Sequence, residues 1–178
     1  MSRERFCNHF VEVFIMSKND LQYYESQQCS LQWRAFLNAF SAEFSTKGDL
    51  KDLRLFMHQL GRNMAQNLGF QGGDSLQLLE DNMNAIWGRM HWGWVEVNEE
   101  AEALVLLHHA SPLKAAFGEQ SLIWTPALLE GIYASWFEAM GMDPSLRLQQ
   151  KTGDMGSAQV LVFELKRQVE ESPFFGRR

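Results

Sequence analysis

WTPALLEGIYASWFEAMG, residues Trp124 to Gly141, is the stretch that decides the fold. Leu128, Leu129, Ile132, Tyr133, Trp136, Phe137 and Met140 recur within it at helical spacing. Thr125 before Pro126 predicts an N-cap followed by a proline at the first helical position, where a missing N–H costs nothing. Gly141 predicts the stop, and Asp143-Pro144 turns the chain away. So few polar side chains interrupt the helix that the rest of the fold, or another subunit, must wrap it. Gly131 lies one turn before Ser135, making a small-residue strip that a second backbone can approach. The helix over 125–140 is therefore the expected centre of the fold.

Working outward, 178 residues make one domain with a core of its own. With 46% hydrophobic and 21% charged residues the chain is globular in composition. Sixteen basic against 22 acidic residues give a net charge of −6, and only Arg177-Arg178 forms a basic cluster. That balance excludes a nucleic-acid footprint and a polybasic membrane surface. The two cysteines, Cys7 and Cys29, predict free thiols in an intracellular chain. No apolar run approaches the roughly 20 residues that span a membrane. At the N-terminus, Arg3 and Arg5 precede an apolar patch, as in a signal peptide. Asn8, His9 and Glu12 interrupt that patch, and no small-x-small cleavage site follows. Residues 1–15 read as an upstream extension ahead of Met16 or as an amphipathic arm, and the missing export signal predicts the cytoplasm.

Residues 17–30 are polar and carry Tyr23 and Tyr24, an arm that is loose or ordered by a partner. Leu31, Trp33, Phe36, Leu37, Phe40 and Phe44 form a helical stripe that stops at Thr46-Lys47-Gly48. Asp49 caps a longer helix to about Leu68, expected to bury Leu50, Leu53, Phe56, Met57, Leu60, Met64 and Leu68. Gly61 in its middle costs about 1 kcal/mol against alanine, which points to a tight helix crossing there, with the Gly131 region as the other side. A third helix, from about Ser75 to Met90, carries Leu76, Leu79, Met83, Ile86, Trp87 and Met90. The period then switches to two. Trp92, Trp94, Val95 and Val97 make one strand and Ala103–His109 the next, with late strands at about 146–150 and 160–167 around a loop at 152–157. The predicted architecture is α+β: a helical N-terminal half, an antiparallel sheet of about four strands, and the central helix beside it. The domain spans 31–168, between an arm at 1–30 and a tail at 169–178.

No catalytic set emerges. Gly73-Asp74-Ser75-Leu76 spells the nucleophile block of one esterase family, but it opens a helix, Asp74 with Gln77 fits a capping pair, and no histidine follows His109 to serve as base. His108 and His109 are adjacent in a strand and point to opposite faces, and Cys7 and His9 sit in the arm, so no metal site or cofactor is expected. Glu130 is the one acid on an apolar part of the central helix. A structural ion pair, with Arg62 as a candidate partner, explains it better than a catalytic carboxylate, because no second acid is spaced to work with it. Asp81 and Glu80 read as solvated. Six tryptophans are many for this length. Core and interface packing accounts for most of them, although Trp92 and Trp94 on one strand face, with Tyr23 and Tyr24, would suit flat sugar rings.

Several of these pieces together resemble the D subunit of bacterial cellulose synthase. They are Trp33-x-x-Phe36-Leu37, Gly61-Arg62-x-Met64, Trp92-Gly93-x-Val95, and Leu129-Glu130-Gly131-Ile132-Tyr133-x-x-Trp136 preceded by Trp124-x-Pro126. Their order and spacing agree from about Leu31 to Arg167, while the arm departs in length and residues. The resemblance implies a non-catalytic accessory subunit, a homo-octamer built from dimers beside the membrane synthase, with inner passages that guide glucan chains into crystalline cellulose. It implies glucan, other synthase subunits and further copies of itself as partners. It also implies that Gln22, Tyr23 and Tyr24 of the arm approach the glucan, and that the matched blocks are fold and interface positions. A periplasmic location is the alternative to the cytoplasm. The competing reading is a small α+β ligand-binding or tethering module with a pocket beneath the central helix, and a hydrolase using Ser75 is the third.

Overall fold

The computed structural model describes residues 29–151 and 160–168. Cys7, His9, the arm residues Gln22, Tyr23 and Tyr24, the loop at 152–157 and the tail from 169 lie outside the described residues. In chain order come helices α1 (Leu31–Ser45), α2 (Leu50–Ala65) and α3 (Leu76–Met90), then strands β1 (Trp94–Glu99) and β2 (Ala103–His109). A short α4 (Leu113–Phe117) and a 3-10 turn (Glu119–Ile123) lead into α5 (Ala127–Ala139), followed by β3 (Leu146–Gln150) and β4 (Val160–Arg167). The strands form one antiparallel sheet in the order β1-β2-β4-β3. The chain is α+β.

The central helix is wrapped by its own chain. Every residue from Ala127 to Ala134 is buried, as are Trp136 and Phe137. It ends as the sequence predicts: Gly141 sits at φ 83, Met142 N–H reaches the Phe137 carbonyl and Gly141 N–H the Glu138 carbonyl, a Schellman stop. Its start differs. Thr125 is fully buried, and its hydroxyl donates back to the Ser121 carbonyl at 2.9 Å instead of capping. The preceding 3-10 turn already feeds the helix, with Leu128 N–H on the Thr125 carbonyl, so no side-chain cap is required.

α2 crosses α5 at two reciprocal glycines. A Cβ on Gly61 would land on the Leu128 carbonyl oxygen, and one on Gly131 on the His58 carbonyl oxygen. This contact line chooses the buried row of α2. Leu53, Met57, Gly61 and Ala65, each four residues apart, are buried, whereas Leu50, Phe56 and Leu60 of the expected stripe stay exposed. Asp49 does cap the helix, accepting from Asp52 N–H at 2.8 Å.

α3 covers one edge of the sheet. The Asn84 amide accepts from Val95 N–H (2.7 Å) and donates to the Val95 carbonyl (2.8 Å), and Glu80 accepts from Val97 N–H at 2.7 Å. Two side chains one helical turn apart thus stand in for a fifth strand and close the outer edge of β1. Glu80 is consequently not the solvated acid that its flank position suggests. At the start of α3 the cap is Ser75, which accepts from Leu78 N–H at 3.2 Å, while Asp74 is exposed and Gln77 donates to Asp81.

Candidate functional site

Three groups of polar side chains stand out among the described residues, and the charged and imidazole groups of the first two are bonded within the fold. The first surrounds Glu130, 8% exposed. Its Oε1 accepts from Arg54 Nη2 at 2.7 Å and from the Gln150 backbone N–H at 2.6 Å, while Arg54 also donates to the Ile123 carbonyl at 3.1 Å. One carboxylate thereby ties α2, α5, β3 and the 3-10 turn together. The partner is Arg54 and not Arg62, which forms a two-pronged bond to Glu138 at 2.8 and 2.7 Å. Arg54 and Arg62 are two turns apart on α2, Glu130 and Glu138 two turns apart on α5, and the crossing matches them in that register. The Arg62 bond holds the Glu138 carboxyl below its ordinary range and raises the Arg62 guanidinium.

The second group is an aromatic box under the sheet. His108 is fully buried, and its ring nitrogens meet the Tyr133 hydroxyl at 2.6 Å (Nδ1) and the Trp92 carbonyl at 2.8 Å (Nε2). The carbonyl can only accept, so Nε2 carries the proton and Nδ1 accepts from Tyr133. Burial lowers the histidine to about 4 and pushes the tyrosine well above its ordinary value, so both are neutral near pH 7. Trp87 stacks on Trp92 (centroids 6.1 Å, planes 8° apart) and abuts His108, Tyr133 and Trp136. Trp124, Leu129, Tyr133 and Trp136 are all core residues.

Trp92 and Trp94 do not share a face. Gly93 between them has φ 79, and a Cβ there would strike the His109 carbonyl, so the chain turns before the strand begins. Trp94 stacks on His109 (5.0 Å, 3°), whose Nε2 lies 3.3 Å from Glu96 on the opposite side of the sheet from His108. Burial lowers His109, and Glu96 partly offsets this.

The third group lines an open depression of about 900 Å³ at the end of the sheet, with Glu100, Glu102, Arg147, Glu164 and Lys166 on its walls. Glu164 is held between Lys151 and Lys166 at 2.8 Å each, and Arg147 donates to the Pro144 and Leu146 carbonyls. It does not lie beneath the central helix, where the binding-module reading needs a pocket. Among the described residues no cluster of His, Cys, Asp and Glu suits a metal ion, and no helix is long and apolar enough to cross a membrane.

What remains is a surface. α1 is attached through its polar side: Asn38 donates to the Ala115 and Ala116 carbonyls (3.2 and 2.8 Å), and the hydroxyls of Ser41 and Ser121 bond to each other in the interior. Ser41 is the buried residue of the helix. The stripe of larger apolar residues is divided: Leu37, Phe40 and Phe44 are half-buried, while Leu31, Trp33 and Phe36 are exposed. Trp33, Phe36, Phe40 and Phe44 form a ring-to-ring row at whose end Phe44 meets the rings of Phe56 and Trp124. Trp33 and Phe36 are each 58% exposed. Sequence reasoning found the stripe but missed Asn38 and Ser41, the polar residues whose bonds fix how α1 docks, with Leu37 and Phe44 of the stripe one turn to either side of Ser41.

The comparisons with known proteins agree with the pattern of blocks. The family model describing the D subunit of cellulose synthase matches residues 19–163. A cellulose synthase operon protein D from Komagataeibacter xylinus is 30% identical over 103 residues, 57% of this chain and 66% of that protein. Proteins of the same description from Komagataeibacter xylinus and Komagataeibacter sucrofermentans are 26% identical over the same shares. These alignments thus span just under two thirds of the relatives' length. With most of its length matched by the family model, the chain belongs to the family of cellulose synthase D subunits.

Proposed function

We propose that this protein is a non-catalytic accessory subunit of the bacterial cellulose synthase complex, a homo-octamer assembled from dimers whose inner passages guide nascent β-1,4-glucan into crystalline cellulose. Family membership supplies the context, and the outward aromatic face of α1 is the observation that carries the assembly. An amphipathic helix of a self-sufficient monomer turns its apolar face inward. Glu130 and Glu138 with their arginines, and His108 with Tyr133, are engaged in holding elements together, which supports a structural role over an enzymatic one. In this reading Gln22, Tyr23 and Tyr24 line the passages, where backbone and neutral polar groups hold a neutral polysaccharide weakly enough for it to slide. The protein works beside the membrane synthase and touches its other subunits, on the cytoplasmic side, with the periplasm as the alternative compartment.

Deleting residues 17–30 in a cellulose-producing cell tests the arm. Cellulose yield or crystallinity, read by X-ray fibre diffraction, should fall while the native mass of the purified protein stays that of the wild type. Unchanged cellulose would overturn the assignment of the arm to the passages.

A further inference from the structure

We infer that residues 169–178 dock back onto their own chain, across the groove at the end of the sheet where β4 finishes. The groove has two adjoining parts that share Glu100, Glu102 and Ala103. The first is the depression beside Arg147, Lys166 and Arg167. The second, of about 570 Å³, lies between the start of α3 and the sheet, with Leu76, Leu104, Leu146 and Leu165 beside the acids Asp74 and Glu99. The contact is made within one chain and does not depend on the assembly.

Position singles out this segment. Gln168 lines the first part, and its backbone N–H donates to the Ser145 carbonyl at 2.9 Å, so residues 169–178 start on the groove wall. Residues 152–159 join β3 to β4 at the other end of the sheet, beyond the Gln150–Phe163 pair, and residues 1–28 lead into α1, so neither starts at this groove. The β1–β2 turn, with Glu100 and Glu102, lies within two strand spacings of β4, or about 10 Å. Six extended residues cover about 20 Å, which gives Phe174 the reach to pass that turn.

The order of chemistry along the segment matches the order along the groove. Glu170 and Glu171 come first, next to Arg147 and Arg167. Phe174 and Phe175 follow, at the reach of the leucines, of which Leu76 is 38% exposed and Leu104 and Leu146 are half-buried. Leu104 and Leu146 pack on the core, so two phenyl rings laid over them extend that core across its open end. Arg177 and Arg178 come last, at the reach of Asp74, Glu99, Glu100 and Glu102, all four exposed. Among the described residues none of these four acids forms a salt bridge, and neither does Arg147 or Arg167. Docking the segment answers both sets of charges at once.

The test is hydrogen–deuterium exchange of the full chain, read peptide by peptide in a mass spectrometer, with the amides of β2 and β4 reporting that each variant is folded. In wild type, residues 170–176 should exchange about tenfold or more slower than in a Phe174→Ser, Phe175→Ser double variant. Reversing the acidic end with Glu99→Lys and Glu102→Lys should remove the same protection. Adding Arg177→Glu and Arg178→Glu to that reversed chain should bring it back, because the charges then match again. A wild-type segment that exchanges as fast as the double phenylalanine variant overturns the proposal. Protection that survives the reversed groove does so too, since the segment then lies elsewhere. If protection returns on mixing groove-reversed chains with arginine-reversed chains, the occupant is a second copy and docking within one chain is refuted.

Discussion

Protonating His108 means placing a charge in the aromatic box, and the folded state resists it. Its folded value of about 4 lies below the ordinary 6.5, so protons bind the unfolded chain more readily. Stability is complete above about pH 6.5 and is lost as pH falls through the window from 6.5 to 4, by about 2 kcal/mol at pH 5. His58 and His109 are also lowered by burial and act with the same sign. Glu138 and Glu164, held below their ordinary range, contribute only at lower pH. Urea denaturation at pH 7.5 and pH 5 isolates the residue. Wild type should lose more stability between the two than His108→Gln, and equal losses would show that His108 is not the group responsible. The opposite faces of His108 and His109 were legible from strand alternation alone. The depth of His108 was not, because it depends on Tyr133 and Trp92, which come from other parts of the chain. Glu130 is a similar case: its isolation among apolar residues announced a structural partner, but the choice of Arg54 over Arg62 follows from how α2 and α5 cross.

At the scale of elements, the crossing itself is the decisive feature, and two isolated glycines in helical patterns gave it away. Each faces backbone instead of a side chain that can swing aside. Gly61→Ala or Gly131→Ala should therefore separate the helices and cost about 2–3 kcal/mol, after the ~1 kcal/mol gained from alanine's helix propensity. The two sites lie about one turn apart along the same contact, so the gap opened by one methyl admits the other. The double variant should lose less than the sum of the singles by about 1 kcal/mol, and strict additivity in urea unfolding would refute a shared crossing. The inward stripe expected of α2 is too wide for the same reason: Leu53 and Met57 are buried as expected, whereas Leu50, Phe56 and Leu60 are exposed. Counting large side chains favours Phe56 and Leu60, whereas the close approach at Gly61 selects the row through Leu53, Met57 and Ala65. Propensity and periodicity see side chains; a crossing governed by their absence shows only as a glycine out of place.

For the whole molecule, the element order and the four antiparallel strands followed from the sequence because each strand is short, alternating and bounded by turns. The attachment of α1 did not, since a stripe of aromatics reads as core whether it faces its own chain or another. That distinction has a salt-dependent consequence. An assembly joined by ion pairs loosens as salt screens them, with a screening length of about 10 Å at 0.1 M and about 3 Å at 1 M. In the assembly proposed above, a contact through the aromatic rings of α1 would be largely apolar, while every copy would contribute a net charge of −6, so copies would repel one another away from that contact. Screening removes the repulsion and leaves the apolar term, which excluded salts strengthen further. Sedimentation velocity from 50 mM to 1 M sodium sulfate should therefore show the assembled fraction constant or rising at fixed protein concentration. Dissociation on adding salt would instead locate the binding energy in charged contacts, such as those around Glu100, Glu102 and Arg147, and would refute an assembly joined through the rings of α1.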